Sequence, residues 1–577
     1  MEEKKIRSEI RQAIGNIIGG GLKANLFVRL DVPAQTVQEG GFVVIESGDW
    51  LFYGLVTDLQ LDSLDPRYAE ETAYRQLSPN IVAKLRQQTL FTNLEVLPAL
   101  MLEHGPDLGS PAYPAWRQAH PKDPRPLPIK TIPSHHAVTY LASAGDVAEI
   151  FGSPDRDGYF EIGRTREQNH PVCIDLDKFV QRSSGIFGAT GTGKSFLTRI
   201  LLAGLIHRNT SSVLVLDMHN EYGFDDFSSD TGQSVSGLKT HFGSAVQVVG
   251  LGRASTIRGK TPDFHLEFKE SEIQPQDIEL LSGELNLRDT TPTTLDALLH
   301  SFGSERWFSE FKHMAIGKME TDEDGKKFPA ADSVAFWANE AGVNVAAAEG
   351  LRSKLTRVFN RPYIIEYSGE ANIAQNSLKK IIEALKAGRH VILSFGDYES
   401  DLDYLLVSNL LTRRIREAWE EQTNAFRSHG TKSAAEPRPL VIAVEEAHKL
   451  LNREMAAQTS FSTIAREMRK YYVTLLIIDQ RPSQIYDEVM SQLGTRISGR
   501  LEDENDIAAV LSGLAGRDSL RGMLSHLQPK EEVLLLGWSV PMPIPVRSRR
   551  YAPEFWKELL GEESGRSAEQ SLKELGF

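Results

Sequence analysis

The chain has 577 residues, 41% of them hydrophobic and 25% charged, a balance that excludes a disordered or collagen-like protein and fits about two to four globular domains. Its single cysteine, Cys173, excludes an intrachain disulfide and suits a reducing compartment. The net charge of −14 excludes binding of nucleic acid through bulk positive charge, though not through a few cations lining a channel.

The opening residues Met1-Glu2-Glu3-Lys4-Lys5-Ile6-Arg7 are charged, with no apolar stretch of a signal peptide behind them. The longest apolar runs, 201–206 and 473–478, are far too short for a bilayer. The sequence reads as soluble and cytoplasmic, with no membrane partner. Leu26-Phe27-Val28-Arg29-Leu30, Phe42-Val43-Val44-Ile45 and Leu51-Phe52-Tyr53-Gly54-Leu55-Val56 read as strands, punctuated by Gly40-Gly41 and Ser47-Gly48-Asp49. Short β runs at this spacing predict a small barrel. Pro121, Pro124, Pro126, Pro128 and Pro133 then mark an extended connection. His135-His136 has no further ligand nearby at metal spacing and reads as surface. Residues 138–165 read as further barrel strands and a link.

Gly188-Ala189-Thr190-Gly191-Thr192-Gly193-Lys194-Ser195 fits G-x-x-x-x-G-K-[ST], the loop whose backbone N–H groups surround a polyphosphate. Ser184-Gly185-Ile186-Phe187 reads as the strand entering it. Phe196, Leu197, Ile200, Leu201 and Leu205 fall at helical spacing after it. Strand, loop and helix are the context the motif requires. Lys194 is expected on the β- and γ-phosphates of ATP, and the Ser195 hydroxyl on Mg²⁺.

A second strand, Val213-Leu214-Val215-Leu216, ends in Asp217. Between about 265 and 365 the pattern turns helical and predicts an inserted subdomain, with Trp307, Phe308, Phe311 and Trp337 in its core and a polar loop at 320–327. His390-Val391-Ile392-Leu393-Ser394-Phe395 returns to the sheet. A helix over about 401–421 carries Arg413, Arg414 and Arg416, candidates for a DNA or neighbour contact against a solvated basic face.

Leu440-Val441-Ile442-Ala443-Val444 is the continuous apolar run of a buried parallel strand, and it ends in Glu445-Glu446-Ala447-His448. Glu445 reads as the acid holding Mg²⁺ through its waters, and Glu446 as the base that polarises the attacking water. Val473-Thr474-Leu475-Leu476-Ile477-Ile478 ends in Asp479-Gln480, where Gln480 is placed to sense the γ-phosphate. A strand between the P-loop strand and the acid-bearing strand is the RecA-like arrangement. Arg466-Glu467-Met468-Arg469-Lys470 precedes that strand, and a cation there is suited to a neighbouring subunit's site, which requires a ring.

With these motifs together, the chain resembles the HerA group of the HerA/FtsK superfamily of hexameric DNA translocases. The resemblance also takes in Asp217…Glu221-Tyr222, Gln480-Arg481-Pro482-Ser483 and Leu493-Gly494-Thr495-Arg496-Ile497. It implies an α/β fold, a RecA-like P-loop domain with an inserted helical subdomain, preceded by a small N-terminal β-barrel. The implied boundaries are barrel and linker at 1–165, ATPase at 166–264 and 366–550, insert at 265–365, and a tail at 551–577 that braces a neighbour. A helix packed on its own subunit is the alternative for the tail. By position, the resemblance implies Arg469 as a trans-acting finger and Arg182 as a second nucleotide contact. Met468 stands where glycine is common, and Glu445 where Asp is commoner. The implied activity is ATP-driven movement of double-stranded DNA through a homohexamer. A NurA-type nuclease, a sirtuin-like protein or another nuclease effector would dock on the barrel, for end processing or anti-phage defence. The alternatives are an ATP-gated ring scaffold that activates an effector, and a conjugation- or secretion-type ATPase.

Overall fold

A computed structural model describes residues 11–561 apart from 23, 64–81, 83–89, 107–108, 122–123, 228–231, 233, 254, 367–375, 430–434, 457–459 and 515. In chain order the strands used below are β1 (Ala13–Gly20), β2 (Leu26–Leu30), β3 (Phe42–Ser47), β4 (Trp50–Ser63), β5 (Leu90–Glu103), β6 (Leu127–Pro128) and β7 (Val138–Leu141). Next come β8 (Tyr159–Arg164), β9 (Pro171–Asp175), β10 (Ser184–Phe187), β11 (Ser212–Asp217), β12 (Val246–Leu251) and β13 (Phe264–Leu266). The last are β14 (His390–Ser394), β15 (Leu440–Glu445), β16 (Val473–Asp479), β17 (Thr495–Ser498), β18 (Glu532–Gly537) and β19 (Ile544–Ser548). The helices named are α1 (Lys194–Arg208), α2 (Asp401–His429), α3 (Ser460–Glu467) and α4 (Pro553–Leu560).

The chain forms two compact units. The first comprises Met1–Phe179, Ile186–Ile200 and Gly494–Arg550, the second Val180–Gly185, Leu201–Leu493 and Tyr551–Phe577.

In the first unit, the strand order β2-β1-β7-β3-β4-β5-β6 closes through a β2–β5 pairing into a barrel. Closure leaves no open edge among its six main strands. Alternate residues point inward, so Ile14, Val28, Val43, Ile45, Phe52, Val56, Leu94 and Val96 form one core. The glycine-rich stretch after Gln12 is itself a barrel strand, β1. At Gly15 an added Cβ would lie 2.1 Å from the Arg29 carbonyl oxygen, so the approach of β2 admits only glycine.

Of the stretch 138–165, read as further barrel strands and a link, Val138–Leu141 joins the barrel as β7 and residues 159–164 do not. β8 pairs antiparallel with β9 and with β19, in the order β17-β18-β19-β8-β9. Arg166 ties this sheet to the barrel within the unit: it donates to the Glu39 carbonyl at 2.7 Å and to Glu532 at 2.8 Å, with both charged side chains buried.

The second unit holds a parallel sheet in the order β13-β12-β14-β11-β15-β16, followed by the opening residues of β10. β11 and β15 are buried along their whole length, as strands covered on both faces must be. Ser183 Oγ accepts from the Leu475 N–H at 3.1 Å, which sets the start of the P-loop strand beside β16. β16 therefore lies between β10 and the acid-bearing β15, the RecA-like order.

Trp307, Phe308, Phe311 and Trp337 are all buried in the helical insert. The polar stretch at 320–327 is no plain loop but the turn of a hairpin, Met319–Thr321 against Lys327–Pro329. The long helix α2 runs to His429, further than its apolar spacing indicated. Its arginines are engaged within the chain. Arg413 meets Asp277 at 2.9 Å, a fully buried carboxylate, and Arg414 and Arg416 pair with Glu417 and Glu420. His135 and His136 belong to no metal-binding group among the described residues.

Candidate active site

The P-loop belongs to the first unit. Gly188, Gly191 and Gly193 take φ of 155°, 77° and 90°. A side chain at Gly193 would be strained by backbone alone, and a Cβ at Gly188 would meet Thr192 Oγ1 at 2.5 Å. Thr192 Oγ1 donates to the Ala189 carbonyl at 2.7 Å and closes the loop on itself. Lys194 Nζ donates to the carbonyls of Gly188 and Ala189 at 2.8 and 2.9 Å. Its ammonium is thus held over the loop, while Thr190 and Gly191 form the exposed crown. The Leu197 N–H bonds the Gly193 carbonyl at 3.0 Å and starts α1, whose first N–H groups face the loop. Successive backbone N–H groups, a helix N-terminus and an ammonium make a phosphate cradle, so the loop fits ATP. Ser195, half-buried on the first turn of α1, carries the hydroxyl of the motif.

The acids belong to the second unit. Glu445 ends β15 and is 5% exposed. Tyr222 donates its hydroxyl to Glu445 Oε1 at 2.7 Å, and Tyr404 donates to the Glu445 carbonyl at 2.6 Å. Oε2 is buried with no hydrogen-bond partner among the described residues. Burial, and then the negative charges of Asp217 and Glu221, push the Glu445 carboxyl well above the usual carboxylate range, against the opposing pull of the Tyr222 hydroxyl. A divalent cation would reverse that balance. No three His, Cys, Asp or Glu side chains among the described residues are grouped to hold a metal alone. Mg²⁺ asks for no more than one or two carboxylates, with phosphate oxygens and water completing its shell, and an orphaned buried Oε2 fits that role.

Glu446 follows with φ 45°, a conformation that costs a glutamate about 1–3 kcal/mol and persists only where neighbours impose it. Gln480 Nε2 lies 3.3 and 3.4 Å from its two oxygens, so the sequence-assigned base and sensor are brought together. Asp479 and His448 complete the group. His448 Nδ1 lies 2.9 Å from Asp479 Oδ2 and 3.5 Å from Glu446 Oε2. The hydrogen bond to Asp479, opposed by burial, leaves the imidazole above its ordinary pKa. Sequence reasoning missed both residues. Asp479 carried one signal there, a charged residue ending an apolar strand.

Arg469 lies in a short turn, Met468–Tyr471, between α3 and β16. Met468 is fully buried and Tyr472 takes φ 65° to end the turn, so the residue standing in place of glycine pins this loop to the core. Arg469 is exposed and makes no ion pair among the described residues. Its neighbours Arg466 and Lys470 pair with Glu488 and Glu467. Arg182 is half-buried just before β10, and its carbonyl accepts from Ser184 Oγ at 3.3 Å.

Residues 160–415 match the family model for the central domain of helicase HerA. The DNA double-strand break repair helicase HerA of Pyrococcus furiosus is 22% identical over 468 residues, 73% of each chain. The protein of the same name from Saccharolobus solfataricus is 25% identical over 396 residues, 68% of this chain and 69% of that one. Among solved structures, the bacterial conjugative coupling protein TrwB aligns over 71% of this chain and 92% of its own, at 13% identity and a TM-score of 0.43. Residues 160–415 thus match the central domain of HerA helicases, in a chain that is similar to these helicases over most of its length.

Proposed function

We propose that the protein is a homohexameric ATPase that moves along double-stranded DNA and serves a partner nuclease or other effector docked on the barrel. The observation that carries the hydrolytic part is Glu446, held in a left-handed conformation at a strand end with Gln480 against its carboxylate. A carboxylate so fixed suits orientation of an attacking water rather than transfer to a small acceptor. In this reading Lys194 and the P-loop amides hold the phosphates. Ser195 and Glu445 would hold Mg²⁺, which would supply positive charge to the phosphates. Glu446 takes the proton of the attacking water, and Gln480 reports the γ-phosphate. Arg469, exposed and without an ion partner among the described residues, supplies its charge to a neighbour's site, and Arg182 contacts nucleotide. The double-strand break repair named for the relatives supports DNA ends as the substrate.

The test is ATP turnover by the full chain with and without linear duplex DNA, in wild type, K194A and E446Q. Duplex-stimulated turnover abolished by both substitutions supports the reading. Turnover indifferent to duplex in every assembly state overturns the DNA part. The net charge of −14 favours one second reading, a ring that gates an effector without travelling. Effector activation that survives in K194A while DNA movement is lost would select it.

A further inference from the structure

Asp479 ends β16 and is 1% exposed. Three N–H donors converge on its carboxylate. The His448 backbone and His448 Nδ1 reach Oδ2 at 2.7 and 2.9 Å, and the Arg481 backbone reaches Oδ1 at 2.7 Å. The donors come from two loops. One follows β15 and carries Glu446, the other follows β16 and carries Gln480. Glu446 itself sits at a φ that its neighbours must impose, with Gln480 within 3.4 Å of both its oxygens.

We propose that Asp479 is a positioning residue for ATP hydrolysis: by gathering both loops on one buried carboxylate, with His448 as the bridge, it sets Glu446 and Gln480 in their working arrangement. This rests on reading Glu446 as the residue that activates water. The role requires a carboxylate. It accepts on every lone pair, whereas an amide would turn its NH₂ toward one of the three donors and open that side of the clamp. His448 contributes in two ways, since its backbone N–H and its ring both end on Oδ2 and its ring nitrogen stands between the two carboxylates.

The experiment uses the full-length assembly and the variants E446Q, D479N, H448A, Q480A and D479N/Q480A. It reads kcat, KM for ATP, the affinity for a fluorescent ADP analogue, and Tm. D479N is expected to lower kcat by roughly 30-fold or more with nucleotide affinity within about twofold of wild type, and H448A to lower kcat by about 10-fold, the split that marks loss of an arrangement used only in the chemical step. Adding Q480A to D479N is expected to cost less than Q480A alone, because the glutamine is already misplaced. Wild-type kcat in D479N and H448A beside an inactive E446Q overturns the proposal while leaving the hydrolysis reading intact. Equal losses of affinity and kcat, or strict additivity with Q480A, overturn it as well. Should D479N fail to fold, H448A, which keeps the backbone donor, decides on the same criteria. Wild-type turnover by E446Q instead sinks the role of Glu446, and this proposal with it.

Discussion

The Tyr222 hydroxyl donates to Glu445 Oε1 across 2.7 Å, and both side chains are buried. The tyrosine enters from the loop after β11, where Asp217 accepts the Glu221 and Tyr222 N–H groups at 2.8 and 3.0 Å. One strand-end carboxylate thus shapes the loop that holds the next. Removing the hydroxyl leaves a dry carboxyl without its donor, which costs about 1–3 kcal/mol. Y222F is therefore expected to lower Tm and to raise the Mg²⁺ concentration needed for half-maximal ATP turnover. A Mg²⁺ titration and a thermal melt check both, and wild-type values in each would remove Tyr222 from the site.

The same setting separates stability from activity at Glu445. Burial and the neighbouring charges of Asp217 and Glu221 disfavour its ionised form. Glutamine has the same shape and no charge, so E445Q is expected to keep or raise Tm while turnover falls by at least about 10-fold, as for loss of a charge-stabilising metal partner. An E445Q protein that melts earlier contradicts the account of a repelled carboxylate.

The P-loop was fully legible in the sequence because four fixed residue types at fixed spacing specify one backbone shape. The acids after β15 were legible because an apolar run that ends in charge marks a buried strand delivering that charge to the edge of a sheet. The clamp at Asp479 was not, since its partners are two backbone N–H groups and a histidine, and backbone donors leave no mark in a sequence. The glycine-rich β1 escaped for a related reason: its composition reflects the approach of β2 at Gly15 rather than any β propensity. Within 138–165, read as barrel strands and a link, β7 joins the barrel and β8 pairs elsewhere, because a strand's pattern does not name its sheet.

His390 opens β14 and is 3% exposed. Burial, with a smaller push from the Arg438 charge, lowers its pKa to about 4 from the ordinary 6.5. The folded state therefore refuses a proton that the unfolded chain accepts between those values. Stability from this group is complete above about pH 6.5 and is lost as pH falls toward 4, a total of about 3 kcal/mol. H390L removes the titrating ring, so the fall in Tm between pH 6.5 and 4 is expected to be shallower than in wild type. Parallel Tm–pH curves for the two proteins would refute the assignment.

Arg469 is exposed and makes no ion pair among the described residues, so R469A is expected to change stability by no more than about 0.5 kcal/mol. Its proposed charge on a neighbour's phosphates predicts a loss of turnover of about 10³-fold with ATP binding retained. The trans role has a sharper signature in mixtures. An R469A subunit keeps Glu446, and an E446Q subunit keeps Arg469, so a mixed ring contains interfaces with both. Turnover recovered on mixing two inactive preparations supports the role, and its absence in verified mixed rings excludes it.

The tail offers a choice between bracing a neighbour and packing at home, and its described part packs at home. Trp556 on α4 stacks on His241 at 3.7 Å, stands edge-on to Phe242, and is 4% exposed. Tyr551 donates to the Ser236 carbonyl at 2.7 Å. Residues 562–577 lie outside the described residues. One substitution and one truncation divide the possibilities. W556A removes a buried aromatic and is expected to cost about 3 kcal/mol and to free α4, seen as new proteolytic cleavage near 550 at unchanged oligomeric mass. Truncation after Gly561 keeps α4 and removes only the remainder. If that remainder braces a neighbour, truncation lowers the oligomeric mass at low protein concentration while Tm of the subunit holds. If W556A rather than the truncation lowers the oligomeric mass, α4 itself serves the interface and its packing on His241 is not its main role.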